Sequence, residues 1–207
     1  MKELVYLAGG GNEYQSARFD NKFFSDLQTR SISKLIFIPL AQETDHYQQA
    51  EEWFKGVYSG KGLEIETWTE LNDKKVDPKK TSLYLGGGNT MQLLARIKES
   101  GFDKRLGEFL KDGGILYGGS AGAIVMGADI RTAPEARRIQ LDSYQGLDLL
   151  NGYSVACHFT KTMEESETYS KLREEIGSPI IALTELGGVI IQEGQVKIFD
   201  DNEVKIF

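Results

Sequence analysis

Three short apolar runs in this chain each end in a cluster of glycines. Leu4-Val5-Tyr6-Leu7-Ala8 leads into Gly9-Gly10-Gly11, Leu83-Tyr84-Leu85 into Gly86-Gly87-Gly88, and Ile115-Leu116-Tyr117 into Gly118-Gly119. Runs of that length, apolar at successive positions, fit strands buried on both faces. Amphipathic stretches separate them: residues 19–27, with Phe23, Phe24 and Leu27 at helical spacing, then 47–58, 90–98 and 104–111. Residues 34–39 and 63–68 add two more strands. Strand–helix alternation with short connections predicts an α/β fold of three layers, a mainly parallel sheet with helices on both faces. The glycine turns then share one edge of that sheet, the edge where open α/β sheets bind ligands.

The tail changes character. Val189-Ile190-Ile191-Gln192, residues 195–199 and residues 203–207 are strands split by Glu193-Gly194 and Asp200-Asp201-Asn202, which predicts a C-terminal β-meander. Val-Lys-Ile-Phe occurs twice in it, at 196–199 and 204–207. The charged stretch 73–80 reads as a solvated turn.

Composition removes several classes. A length of 207 residues fits one domain, 1–207. Two histidines (His46, His158) and one cysteine (Cys157) are too few for a four-ligand Cys/His zinc site or an internal disulfide. A net charge of −7 argues against nucleic acid. No run approaches the ~18 apolar residues of a membrane span, and the first apolar stretch is too short for a signal peptide, so the expected location is cytoplasmic. No nucleotide fingerprint is present: G-x-G-x-x-G with its downstream acid and G-x-x-x-x-G-K-[ST] are both absent. No cofactor or metal is expected, and the oligomeric state cannot be read.

The segment richest in chemistry is Gly114-Ile115-Leu116-Tyr117-Gly118-Gly119-Ser120-Ala121-Gly122-Ala123. It carries G-x-S-x-G between an apolar strand and a helix-compatible run, the context of a nucleophile elbow. Ser120 is the candidate nucleophile. The N–H of Ala121 is one candidate oxyanion donor, and Gly87 or Gly88 is placed by topology to supply another, with Gly88 preferred. A serine hydroxyl needs a base near neutral pH. His158 ends the strand-like run 153–160 on the elbow's edge, and reads equally well as a satisfied core histidine. His46 lies among polar residues at a helix start and reads as exposed. Cys157 reads as buried filler. Glu185 ends the next apolar strand and is the preferred acid to orient the base. Glu135 is the alternative acid, or a group that meets a substrate amine.

Together, Leu85-Gly86-Gly87-Gly88-Asn89-Thr90-Met91-Gln92-Leu93-Leu94, Gly118-Gly119-Ser120-Ala121-Gly122-Ala123, Ile130-Arg131-Thr132 and His158-Phe159-Thr160 resemble the peptidase E and cyanophycinase family of serine peptidases. The resemblance implies a fold related to the class I glutamine amidotransferases (flavodoxin-like), with serine where those enzymes carry cysteine. It implies a Ser-His-Glu triad of Ser120, His158 and Glu185, and keeps Glu135 as second choice. It implies an exopeptidase or dipeptidase acting on small peptides through an acyl-enzyme, with N-terminal aspartyl specificity among the family's activities. Departures from the peptidase E branch of that family lie at Gly119, where that branch carries tryptophan, at Ile124, which replaces a polar residue, and around Glu185, which lacks that branch's flanking proline and glycine. They touch pocket walls. Arg131 and Arg173 are the only basic residues to consider for a substrate carboxylate, and both read first as surface charges. The competing readings are a non-catalytic binding protein of the same fold and an α/β-hydrolase-type esterase.

Overall fold

A computed structural model of the chain describes residues 2–207. Its regular elements are β1 (Leu4–Ala8), α1 (Ala17–Thr29), β2 (Lys34–Ile38), α2 (Tyr47–Tyr58), β3 (Glu64–Thr67), β4 (Thr81–Leu85), α3 (Thr90–Glu99), α4 (Phe102–Lys111) and β5 (Ile115–Gly119). There follow α5 (Ala121–Met126), α6 (Pro134–Arg137), β6 (Ser154–Ala156), α7 (Met163–Ile176), β7 (Ile180–Leu183), β8 (Gly188–Gln192), β9 (Gln195–Ile198) and β10 (Val204–Ile206). Seven strands form one sheet in the order β3-β2-β4-β5-β1-β8-β9. The first five run parallel, and β8 and β9 close the sheet antiparallel. This is the expected α/β fold.

Alternation along the strands explains the layers, because successive side chains point to opposite faces. Leu4, Tyr6 and Ala8 join Phe19, Phe23, Leu27 and Phe54 in the core under α1 and α2. Val5 and Leu7 join Leu93, Ile97, Leu106 and Val125 in the core under α3, α4 and α5. Both faces are buried, which is why the sequence shows continuous apolar runs. No helix among the described residues is long and apolar enough to cross a membrane.

The C-terminal strands are present, but they do not stay together. β9 pairs with β8 as a hairpin, whereas β10 crosses to a second, three-stranded sheet of order β10-β7-β6. Its register is pinned at both ends: Thr184 N–H donates to Glu203 O, and the Ile180 and Phe207 backbones exchange hydrogen bonds. Phe207 then packs on Phe159 and Tyr169, in a third cluster under α7. The twin Val-Lys-Ile-Phe segments thus serve two different sheets.

Candidate active site

The serine sits where a buried strand is forced into a helix. Ser120 has φ 51° and ψ −116°, a conformation L-residues avoid, between β5 and α5. The turn is possible because α5 folds back against the sheet: a Cβ on Gly122 would stand 2.1 Å from Leu85 O. Ser120 N–H donates to Ala8 O at 3.1 Å, and Ser120 O accepts from the N–H groups of Ala123 and Ile124. The hydroxyl is left at the surface, at the start of a helix.

His158 comes from the second sheet. The strand β6 is shorter than the apolar run suggests, because the chain leaves the ladder and His158 takes φ 56°. Its backbone N–H donates to Gly9 O at 3.0 Å. That brings His158 Nε2 to 2.8 Å from Ser120 Oγ. On the other side His158 Nδ1 lies 3.2 Å from Glu185 Oε1. A carboxylate only accepts, so Nδ1 carries the proton, Nε2 is the acceptor, and the Ser120 hydroxyl donates to it. Imidazole and carboxylate are each about half exposed.

Glu185, just beyond β7, is itself held. Gln15 Nε2 donates to its second oxygen, Oε2, at 2.7 Å. That hydrogen bond first, and His158 second, lower the carboxyl pKa below its ordinary 4.5. The glycine turn after β1 threads between these groups: a Cβ on Gly10 would lie 2.5 Å from His158 Cε1 and 2.8 Å from Ser120 Cβ.

The oxyanion candidates are open. Ala121 is the first residue of α5, so its N–H has no carbonyl within the helix. The Gly87–Gly88 peptide is fixed by Gln42, whose Nε2 donates to Gly87 O at 2.7 Å. In a trans peptide the N–H points away from that carbonyl, and Gly88 N–H has no intramolecular acceptor among the described residues. Gly87 lies against the nucleophile, its built Cβ 3.3 Å from Ser120 Cβ.

Other candidates lie elsewhere. Glu135 Oε1 accepts from Thr90 N–H at 3.1 Å, at the start of α3, and His158 is bonded to Glu185 instead. Arg131 is committed to a forked pair with Asp129, its Nη2 2.7 Å from Asp129 Oδ2. His46 is exposed, in a short turn before α2. Cys157 is buried behind the elbow, its Sγ near Ala8 O and Ser120 O, and burial pushes its thiol pKa up. Among the described residues no three His, Cys, Asp or Glu side chains gather as a metal-holding group. Sequence reasoning missed Gln15 and Gln42. Each is a glutamine in a polar stretch outside any motif, 170 and 45 residues from its partner.

A serine on a strained strand–helix turn, its hydroxyl on an imidazole that a carboxylate orients, is the arrangement of serine hydrolases. The family model described as Peptidase family S51 matches residues 4–199, and the chain belongs to that family. It is a serine peptidase. Peptidase E of Salmonella newport (strain SL254) is 26% identical over 160 residues, covering 77% of this chain and 69% of the relative. Among solved structures, a peptidase from an acI-B1 Actinobacterium shares the fold with TM-score 0.70 at 18% identity, covering 100% of this chain and 98% of the other. A Listeria monocytogenes EGD-e protein aligns with TM-score 0.68 at 22% identity, over 96% and 98% of the two chains.

Proposed function

We propose that this serine peptidase is an exopeptidase or dipeptidase acting on small peptides through the triad Ser120, His158 and Glu185. Ser120 Oγ attacks the scissile carbonyl carbon while His158 Nε2 takes the hydroxyl proton. The N–H groups of Ala121 and Gly88 hold the oxyanion. The C–N bond then breaks, His158 returns the proton to the leaving amine, and an acyl-enzyme ester remains. Water, deprotonated by the same imidazole, attacks the ester, and Ser120 leaves with its proton restored. Glu185 keeps Nδ1 protonated and balances the imidazolium in each half-reaction.

The observation that carries the reading is the continuous chain from Ser120 Oγ to His158 Nε2 at 2.8 Å and from His158 Nδ1 to Glu185 Oε1 at 3.2 Å. The test is labelling with a fluorophosphonate, run beside hydrolysis of a dipeptide panel. Labelling is expected at Ser120, and Ser120→Ala is expected to lose both label and turnover. A Ser120→Ala enzyme that still cleaves peptides removes the assignment.

A further inference from the structure

Beside Ser120 lies a cavity of about 220 Å³. That is room for a ring, since a dry cavity of roughly 150 Å³ already holds benzene. Phe37, Ala50, Trp53 and Tyr84 line it, and no lining residue is charged. Gly119 adds no side chain, so the space reaches Tyr84: a Cβ there would sit 3.4 Å from the Tyr84 hydroxyl. The cavity's polar side chains, Gln42, Tyr84 and Ser120, are all neutral, and Gln42 Nε2 already donates to Gly87 O.

The cavity's position identifies which part of a peptide enters it. His158 must reach the leaving nitrogen, so the leaving group lies over the imidazole. The cavity wall runs from Gly86, Gly87 and Gly119 past Ser120 to Gly10 and Gly11, and the imidazole of His158, on the far side of Gly10, is not part of it. The cavity therefore lies on the acyl side. We infer that this cavity takes the side chain of the residue whose carbonyl Ser120 attacks, and selects large uncharged side chains, aromatic ones first, over acidic ones. The inference rests on the proposed role of Ser120 as nucleophile.

Two physical effects set the selection. A carboxylate entering the cavity sheds water and meets no cation, which is costly without a partner. It also faces a carboxyl group already buried behind the wall. Tyr84 stacks on Tyr117 at 4.4 Å, and Tyr117 donates to Asp20 Oδ1 at 2.6 Å. After burial itself, the Asp20 charge is the next cause that raises the Tyr84 pKa, and wherever Asp20 is ionised a second negative charge in the cavity meets the same field. An aromatic side chain gains instead from the ring faces and edges of Phe37, Tyr84 and Trp53. Trp53 leaves 43% of its surface exposed at the rim, apolar area free for a substrate to cover.

The experiment compares the p-nitroanilides of Phe, Leu, Ala and Asp and the matching Xaa-Leu dipeptides. It uses wild type, Ser120→Ala and Trp53→Ala, with fluorophosphonate labelling in parallel. The kcat/KM for Phe is expected to exceed that for Asp by at least about a hundredfold, and Trp53→Ala to lower the Phe:Ala ratio by about tenfold. Ala50→Arg is an independent probe, expected to raise the Asp:Phe ratio by adding the missing cation. A wild-type preference for Asp, or a Phe:Ala ratio unmoved in Trp53→Ala, overturns selection by this cavity while Ser120-dependent hydrolysis still stands. Absence of both labelling and hydrolysis in wild type overturns the nucleophile assignment, and this inference with it.

Discussion

Ser120 and His158, 38 residues apart and just past strands of different sheets, hang from consecutive carbonyls at the end of β1. Ser120 N–H donates to Ala8 O at 3.1 Å and His158 N–H to Gly9 O at 3.0 Å. Both residues adopt positive φ, 51° and 56°. Backbone strain of this kind persists only where the surroundings over-determine it, and here two successive peptides of the chain leaving β1 set the spacing of the pair.

Gly10 is the next residue of that chain, with φ 97°. In Gly10→Ala the new methyl would meet the His158 ring at 2.5 Å. We expect kcat to fall by about 10²-fold, as for an ångström-scale misplacement of a catalytic group. The accompanying stability loss is about 1–3 kcal/mol, read by urea unfolding. A Gly10→Ala enzyme of wild-type kcat would mean that the pair is not held by this turn.

The two glutamates separate cleanly. Glu185→Gln replaces the acceptor on His158 Nδ1 and should lower kcat by about 10²- to 10⁴-fold. Glu135 instead meets the start of α3 through Thr90 N–H. A neutral glutamine oxygen still accepts that bond, so Glu135→Gln loses only the interaction of charge with the helix end, about 0.3–1 kcal/mol in stability. Steady-state kinetics on both variants decide. If only Glu135→Gln loses turnover, the acid has been misassigned.

Under the proposed mechanism Gln42 reaches the oxyanion only through the Gly87–Gly88 peptide, whose Gly87 O it holds, and is a positioning residue. Gln42→Ala leaves Gly87 O without its donor and lets that peptide rotate. Outright loss of one oxyanion donor costs about 3–4 kcal/mol in the barrier. A loosened donor costs less, and a drop in kcat of about tenfold at little changed KM is expected. A change confined to KM would place Gln42 in substrate binding alone.

What the sequence discloses about this site follows from what periodicity encodes. Ser120, His158 and Glu185 each stand just past an apolar strand, so the candidates are legible. Parallel pairing of β6 with β7 sets the last two side by side, while the docking of that second sheet against the β5 end is tertiary. The supporting groups are not legible. Gln15 reaches Glu185, and Gln42 reaches Gly87, only through the tertiary fold, and no local pattern marks them. β9 and β10 mislead for a related reason. Their Val-Lys-Ile-Phe sequences have the same intrinsic preference, and the difference arises where Phe207 finds Phe159 and Tyr169 across the second sheet. Strand identity is local, but strand partnership is not.

Asp20 offers a test of the core behind the cavity. It is 4% exposed and accepts from Tyr117, Tyr58 and Ser16. Burial outweighs these donors, and the nearby Lys61 charge, and raises its pKa above the ordinary 3.8. The folded chain therefore holds this proton more tightly than the unfolded one. The stabilisation is fully present below 3.8 and declines as pH rises from there through the folded-state value. Asp20→Asn cannot titrate and has one acceptor oxygen for several donors, so one hydroxyl loses its partner at a cost of about 1–3 kcal/mol. The difference in unfolding free energy between wild type and Asp20→Asn should be larger at acid pH than at neutral pH, because only the wild type gains from the proton. Urea unfolding of both at about pH 4 and pH 7 measures it. A difference that grows toward neutral pH would mean that the donors dominate and that Asp20 is stabilised as the carboxylate.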